Sequence, residues 1–141
     1  MPMSRRLIGA GLIASGSALF ALQPLATAQS NAPKSRVPAA EVTGDPVSCI
    51  NLSQIRSSQV RDDRTIDFIL NNGQVYRNEL PYQCGGLGFE RAYTYSTSLT
   101  QLCNVDIITV LQNFGGTLNR GASCGLGEFT PVKLVKKSKD G

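Results

Sequence analysis

Apolar and polar residues alternate from Thr65 to Leu70, with Ile66, Phe68 and Leu70 on one side and Thr65, Asp67 and Ile69 on the other. A period of two predicts a β-strand. Asn71-Asn72-Gly73 follows, residues able to take the positive φ of a tight connection, and Gln74 to Leu80 then returns, so the two arms read as a hairpin. Asp62-Asp63 reads as another turn, joining an earlier strand within Leu52 to Val60 to the first arm. Ala92 to Thr97, Val105 to Leu111 and Phe129 to Val135 are further short runs rich in Val, Ile, Thr, Tyr and Phe, and Pro131 places the last at an edge or a corner. Nowhere do apolar residues recur every three or four positions over ten or more residues, so helices are not expected. The pattern predicts an all-β fold: a small antiparallel barrel or half-open sandwich of five or six strands.

The ends of the chain read differently from the middle. Met1 to Arg6 is short and basic, Leu7 to Leu22 is apolar and uncharged, and Ala26-Thr27-Ala28 has the small-x-small form of a cleavage site. Together they predict a cleaved export signal over 1–28, by the general secretory route rather than the twin-arginine route that Arg5-Arg6 also resembles. The apolar run is too short for a spanning helix, and no transmembrane segment is expected in the mature chain. Residues 29–46 carry Pro33, Pro38, Gly44 and Pro46 but few large apolar residues, which predicts a disordered leader. The folded domain is then expected over 47–135, with a basic tail over 136–141. An exported chain of this kind is expected to be periplasmic or secreted.

Four cysteines, Cys49, Cys84, Cys103 and Cys124, fall inside that domain, and an exported protein holds such residues as disulfides. Four allow three pairings, among which sequence does not choose. A bridge from Cys49 to Cys124 would tie the two ends of a barrel together and leave Cys84 to pair with Cys103. A thiol or zinc site is not expected, because there is no Cys-x-x-Cys pair and the chain contains no histidine.

The formal charge of +4 changes the picture little. Arg5 and Arg6 leave with the signal, and Lys133, Lys136, Lys137 and Lys139 crowd the C-terminus. Between Val47 and Val132 six arginines face seven acids. A near-neutral body with its basic residues in a tail, apart from the aromatics, is not the footprint of a nucleic-acid binder. Without histidine a serine triad lacks its usual base, and every lysine lies in the expected leader or in the last nine residues. Asp62, Asp63, Asp106 and Glu128 are the stock for a carboxylate-based hydrolase, which requires at least two of them in one cleft. Turn formation suits Asp62 and Asp63, and capping or pairing with Arg64 or Arg91 suits Asp106 and Glu128. Gly85-Gly86-Leu87-Gly88 and Gly125-Leu126-Gly127 lack the Lys-Ser or Lys-Thr of a phosphate loop. No catalytic residue, metal ligand or cofactor site is therefore assigned.

Cys49-Ile50, Asp62-Asp63-Arg64-Thr65, Gly73 to Leu80, Cys84-Gly85-Gly86-Leu87, Leu102 to Asp106 and Cys124 to Phe129 occur in that order. This ordered set resembles a family of small exported proteobacterial proteins known as a domain of unknown function. The resemblance implies an exported four-cysteine domain and carries over no catalytic residue. Tyr93 and Tyr95 project from one side of a predicted strand and are the candidate binding surface, with Lys136 and Lys137 assisting. The expected function is a noncatalytic periplasmic or secreted envelope module, binding a protein, glycan or lipid surface. The alternatives are a secreted enzyme inhibitor presenting a disulfide-braced loop such as Leu80 to Arg91, and the carboxylate hydrolase.

Overall fold

A computed structural model describes the chain from Arg36 to Lys136. The expected export signal, the start of the expected leader, Lys137 and the end of the basic tail lie outside the described residues. Among the described residues ten strands, a 3-10 turn and one short α-helix follow in order: β1 (Ala40–Val42), β2 (Cys49–Asn51), the 3-10 turn (Leu52–Gln54), β3 (Ile55–Val60), β4 (Thr65–Leu70), β5 (Val75–Glu79), α1 (Leu87–Glu90), β6 (Tyr93–Tyr95), β7 (Gln101–Cys103), β8 (Ile107–Phe114), β9 (Thr117–Gly125) and β10 (Phe129–Leu134). They form a five-stranded sheet in the order β1-β10-β5-β4-β3, a three-stranded sheet in the order β6-β8-β9, and a β2-β7 ribbon. Every pairing is antiparallel. The sheets pack as a half-open sandwich and do not close into a barrel.

The β4–β5 hairpin forms as its sequence predicts. Leu70 N–H donates to Gln74 O, Gly73 takes φ 84°, and the Asn72 carboxamide oxygen accepts from Gln74 N–H at 2.9 Å. Asp62 closes the β3–β4 turn by accepting from Arg64 N–H at 2.9 Å. Ile66 and Phe68 of β4 enter the core with Val60, Ile108, Val110 and Phe129, and the Phe68 and Phe129 rings meet edge to face at 5.5 Å. Leu80, Leu87, Leu102 and Leu126 fill the same core from loops, α1 and the ribbon.

Three expectations are corrected. Ala40–Val42 is a strand paired with β10, so the fold begins inside the expected disordered leader. A three-residue strand needs little apolar content when its backbone hydrogen bonds are supplied by an existing edge. The expected five or six strands become ten, chiefly through short strands and β9, whose Thr117–Gly125 sequence has no apolar alternation and is held by register against β8. Finally, Cys49 pairs with Cys103 and Cys84 with Cys124, not Cys49 with Cys124. Cys49 and Cys103 stand directly opposite in the β2–β7 ribbon, with Cα atoms 4.0 Å apart. The two ends of the domain are joined without a disulfide, by β1–β10 and the Val47–Phe129 bridge.

Candidate functional site

The segment between β5 and β6 carries the two most exposed aromatic side chains among the described residues, Tyr82 at 82% and Phe89 at 86%. Its backbone is nevertheless tightly held. Leu80, Cys84 and Leu87 are fully buried and act as three anchors. Arg64 donates from Nε to Leu80 O at 2.8 Å and from Nη2 to Pro81 O at 3.3 Å. Cys84 N–H donates to Asp63 O at 2.7 Å, and the Asp63 carboxylate accepts from Gly88 N–H at 2.7 Å. Gly88 lies so close to the β3–β4 turn that a Cβ would meet Asp63 N at 2.9 Å. The Cys84–Cys124 bridge fastens the same segment to β9.

A single helical turn explains how one aromatic is forced outward. Gly86 enters α1 at φ 83°, Arg91 leaves it at φ 53°, and Arg91 N–H returns to Leu87 O. Successive residues of a helix are about 100° apart, so with Leu87 inside, Phe89 two positions later faces solvent. The sequence after Gly85-Gly86 carries no helix signal. The turn is too short to leave a periodic signal, and it exists because the glycine and the buried Leu87 impose it.

The β8–β9 tip adjoins this loop. Leu111 N–H donates to Ala92 O at 2.9 Å, and Asn113 N–H reaches a Glu90 carboxylate oxygen at 3.5 Å. The tip turns through Gly115 and Gly116, both at positive φ, and leaves Phe114 and Leu118 exposed. Tyr82, Phe89, Phe114 and Leu118 are thus presented from two neighbouring loops with ordered backbones.

The expected Tyr93 and Tyr95 surface is only partly open. They share one side of β6, with ring centroids 6.5 Å apart. That side faces inward, because Tyr93 stands opposite Val110 and Tyr95 opposite Ile108, both fully buried. The Tyr93 hydroxyl donates to Ser58 Oγ at 2.7 Å, and burial pushes its phenol up to about 12. Tyr95 is 39% exposed at the strand's end. Lys136 is exposed beyond β10, which pairs with β1 and β5 and not with β6.

The acidic residues fall in separate pairs: Asp62 and Asp63 line one depression of about 390 Å³ with Arg64 and Gln83, Glu79 and Glu128 line another, and Asp106 lines neither. Asp62 and Asp63 bond backbone N–H groups in one turn, and Asp106 accepts from Cys103 N–H at 2.7 Å. Glu128 lines a depression of about 380 Å³ with Arg77, Glu79, Thr130 and Val132. Asn78 sets that geometry by donating to Gly127 O and accepting from Gly127 N–H. Among the described residues no three histidine, cysteine or acidic side chains gather as a metal site. Asp67 is fully buried on the side of β4 that alternation assigns to polar residues. It is covered by Arg61 Nε at 2.7 Å and Arg77 Nε at 2.8 Å. Its one sequence signal was a strand aspartate with an arginine in the preceding turn and another in the following strand.

The chain matches no family model, no curated protein and no solved structure. Among the described residues no helix is long and apolar enough to cross a membrane.

Proposed function

We propose that this is an extracytoplasmic, noncatalytic recognition module that binds a partner protein through the Leu80–Arg91 loop, assisted by the β8–β9 tip. The observation that carries the reading is Phe89, an 86% exposed aromatic on a backbone fixed by a disulfide, three buried anchors and the β3–β4 turn. Large aromatics on a preorganised backbone supply most of the binding energy at protein interfaces, because they lose little entropy on docking. The two disulfides and the export signal expected at 1–28 support an oxidising compartment. The ordered set of cysteine motifs supports membership of the exported four-cysteine family. A braced loop of this kind also favours the narrower reading of an enzyme inhibitor, in which the loop occupies a target's cleft.

Photo-crosslinking in the native envelope tests this, with the probe placed in turn at Phe89, Tyr95 and Lys137. Saturable capture from Phe89, abolished by Tyr82→Ser, is expected. Capture from Tyr95 or Lys137 but not from Phe89 would overturn it. Tyr82→Ser, at an 82% exposed position, should change the unfolding free energy by no more than about 0.5 kcal/mol, so lost capture would not reflect lost fold.

A further inference from the structure

The outward side of the three-stranded sheet carries a second, chemically different site. Thr94 of β6, Thr109 of β8 and Ser123 of β9 stand in one cross-strand row, and the Thr109 and Ser123 hydroxyls share a hydrogen bond at 2.9 Å. Arg120 joins them only because β9 is bulged. The register runs from Thr109↔Ser123 to Leu111↔Arg120, so Gly121 and Ala122 together oppose Val110. Without that extra residue Gly121 would face Leu111, and Arg120 would project toward the core side. Bulges commonly re-aim a side chain in this way. Glycine leaves room there for the Gln112 side chain, which a Cβ at 121 would meet at 3.0 Å and push aside.

The re-aimed guanidinium has no carboxylate partner among the described residues; both ion pairs there converge on Asp67. It lines a shallow depression of about 200 Å³ with Thr94, Tyr95, Ser96, Ile107 and Thr109, none of them acidic. Ile107, 56% exposed, supplies an apolar spot beside the hydroxyls. The depression is smaller than the ~300–1,000 Å³ typical of a drug-sized ligand's pocket, which limits it to about one sugar unit.

We propose that this face binds an anionic sugar, with its phosphate or carboxylate on Arg120 and its ring hydroxyls on Thr94 and Thr109. A guanidinium pairs either oxyanion through two parallel N–H bonds. Hydroxyls that both donate and accept match sugar hydroxyls, while Ile107 meets the C–H side of the ring. The site is separate from the aromatic loop and does not depend on it.

The test is a titration of the nitrogen-labelled full chain with glucose 6-phosphate, glucuronate, glucose and inorganic phosphate, read by amide chemical shifts. Saturable shifts at Thr94, Thr109 and Arg120 are expected for the two anionic sugars, with Kd on the order of 1 mM. Arg120→Gln should weaken them about tenfold or more, and Thr109→Val should weaken them in a protein whose spectrum is otherwise unchanged. Inorganic phosphate binding as tightly as the sugar phosphate would reduce the site to an anion site and overturn the sugar assignment. Sedimentation with phosphatidylglycerol vesicles that depends on Arg120, without sugar binding, would assign a lipid headgroup instead. Absent shifts, or shifts unaffected by Arg120→Gln, would overturn the proposal altogether.

Discussion

The two sheets treat their charged residues in opposite ways. On the outward side of the five-stranded sheet, Asp67 is fully buried and its carboxylate is shared by Arg61 and Arg77 from the flanking β3–β4 turn and β5. On the outward side of the three-stranded sheet, Arg120 stands exposed among hydroxyls, with no acid lining its depression and no ion pair among the described residues. A buried charge must be paired, because unpaired ions lose their hydration without compensation, whereas an exposed charge has no such requirement. The first sheet therefore uses its charges to close a surface, and the second leaves one available. The braced loop lies between these extremes, with its polar groups spent on the backbone and its aromatics left outside.

The largest expected effect tests the closed surface. Asp67→Ala leaves two arginines without an acceptor and should cost about 3–5 kcal/mol, read as a fall in the urea midpoint. A loss under 1 kcal/mol would mean that the two sheets do not differ as described.

Removing the Cys84–Cys124 bridge should come next. Its 40-residue separation gives about 4 kcal/mol in the loop-entropy model, with about 2–4 kcal/mol the usual range. In the Cys84→Ser, Cys124→Ser pair, hydrogen exchange should accelerate most over residues 80–91. Uniform acceleration across both sheets would show that the bridge does not specifically brace the loop.

The smallest effect concerns Tyr93, which joins β6 to β3 through Ser58. Its phenol is raised from 10.0 to about 12, so between those values the unfolded chain ionises while the folded one stays neutral. The unfolded state then binds fewer protons, and stability falls as pH rises from about 10 to 12, with the contribution fully present below 10. Tyr93→Phe should flatten that part of the profile and cost about 1 kcal/mol at neutral pH. An unchanged alkaline slope in the variant would remove Tyr93 as its cause.

The hairpin through Asn71-Asn72-Gly73 was legible because its information is local: alternation fixes the facing residues, and the turn residues fix the reversal. The Asp62 turn was legible for the same reason. β9 was not, since Thr117 to Gly125 has neither alternation nor β-branched enrichment and becomes a strand only when β8 supplies its partners. The aromatic loop was half legible. Cys84 between glycines and aromatics marked it, but which rings face outward depends on the depth at which Leu80, Cys84 and Leu87 are anchored. Tyr93 and Tyr95 did share a side as their spacing requires, and spacing holds no information on which side of a strand meets the core.

From the sequence alone came the all-β class, the hairpin, the four-cysteine framework and the lack of any histidine-based chemistry, all properties of composition or of neighbours along the chain. Only the tertiary structure decided the disulfide pairing, the burial of Asp67, the outward turn of Phe89 and the re-aiming of Arg120. Each of these depends on which distant segment lies alongside, and that choice is made by burial and backbone pairing summed over the whole domain.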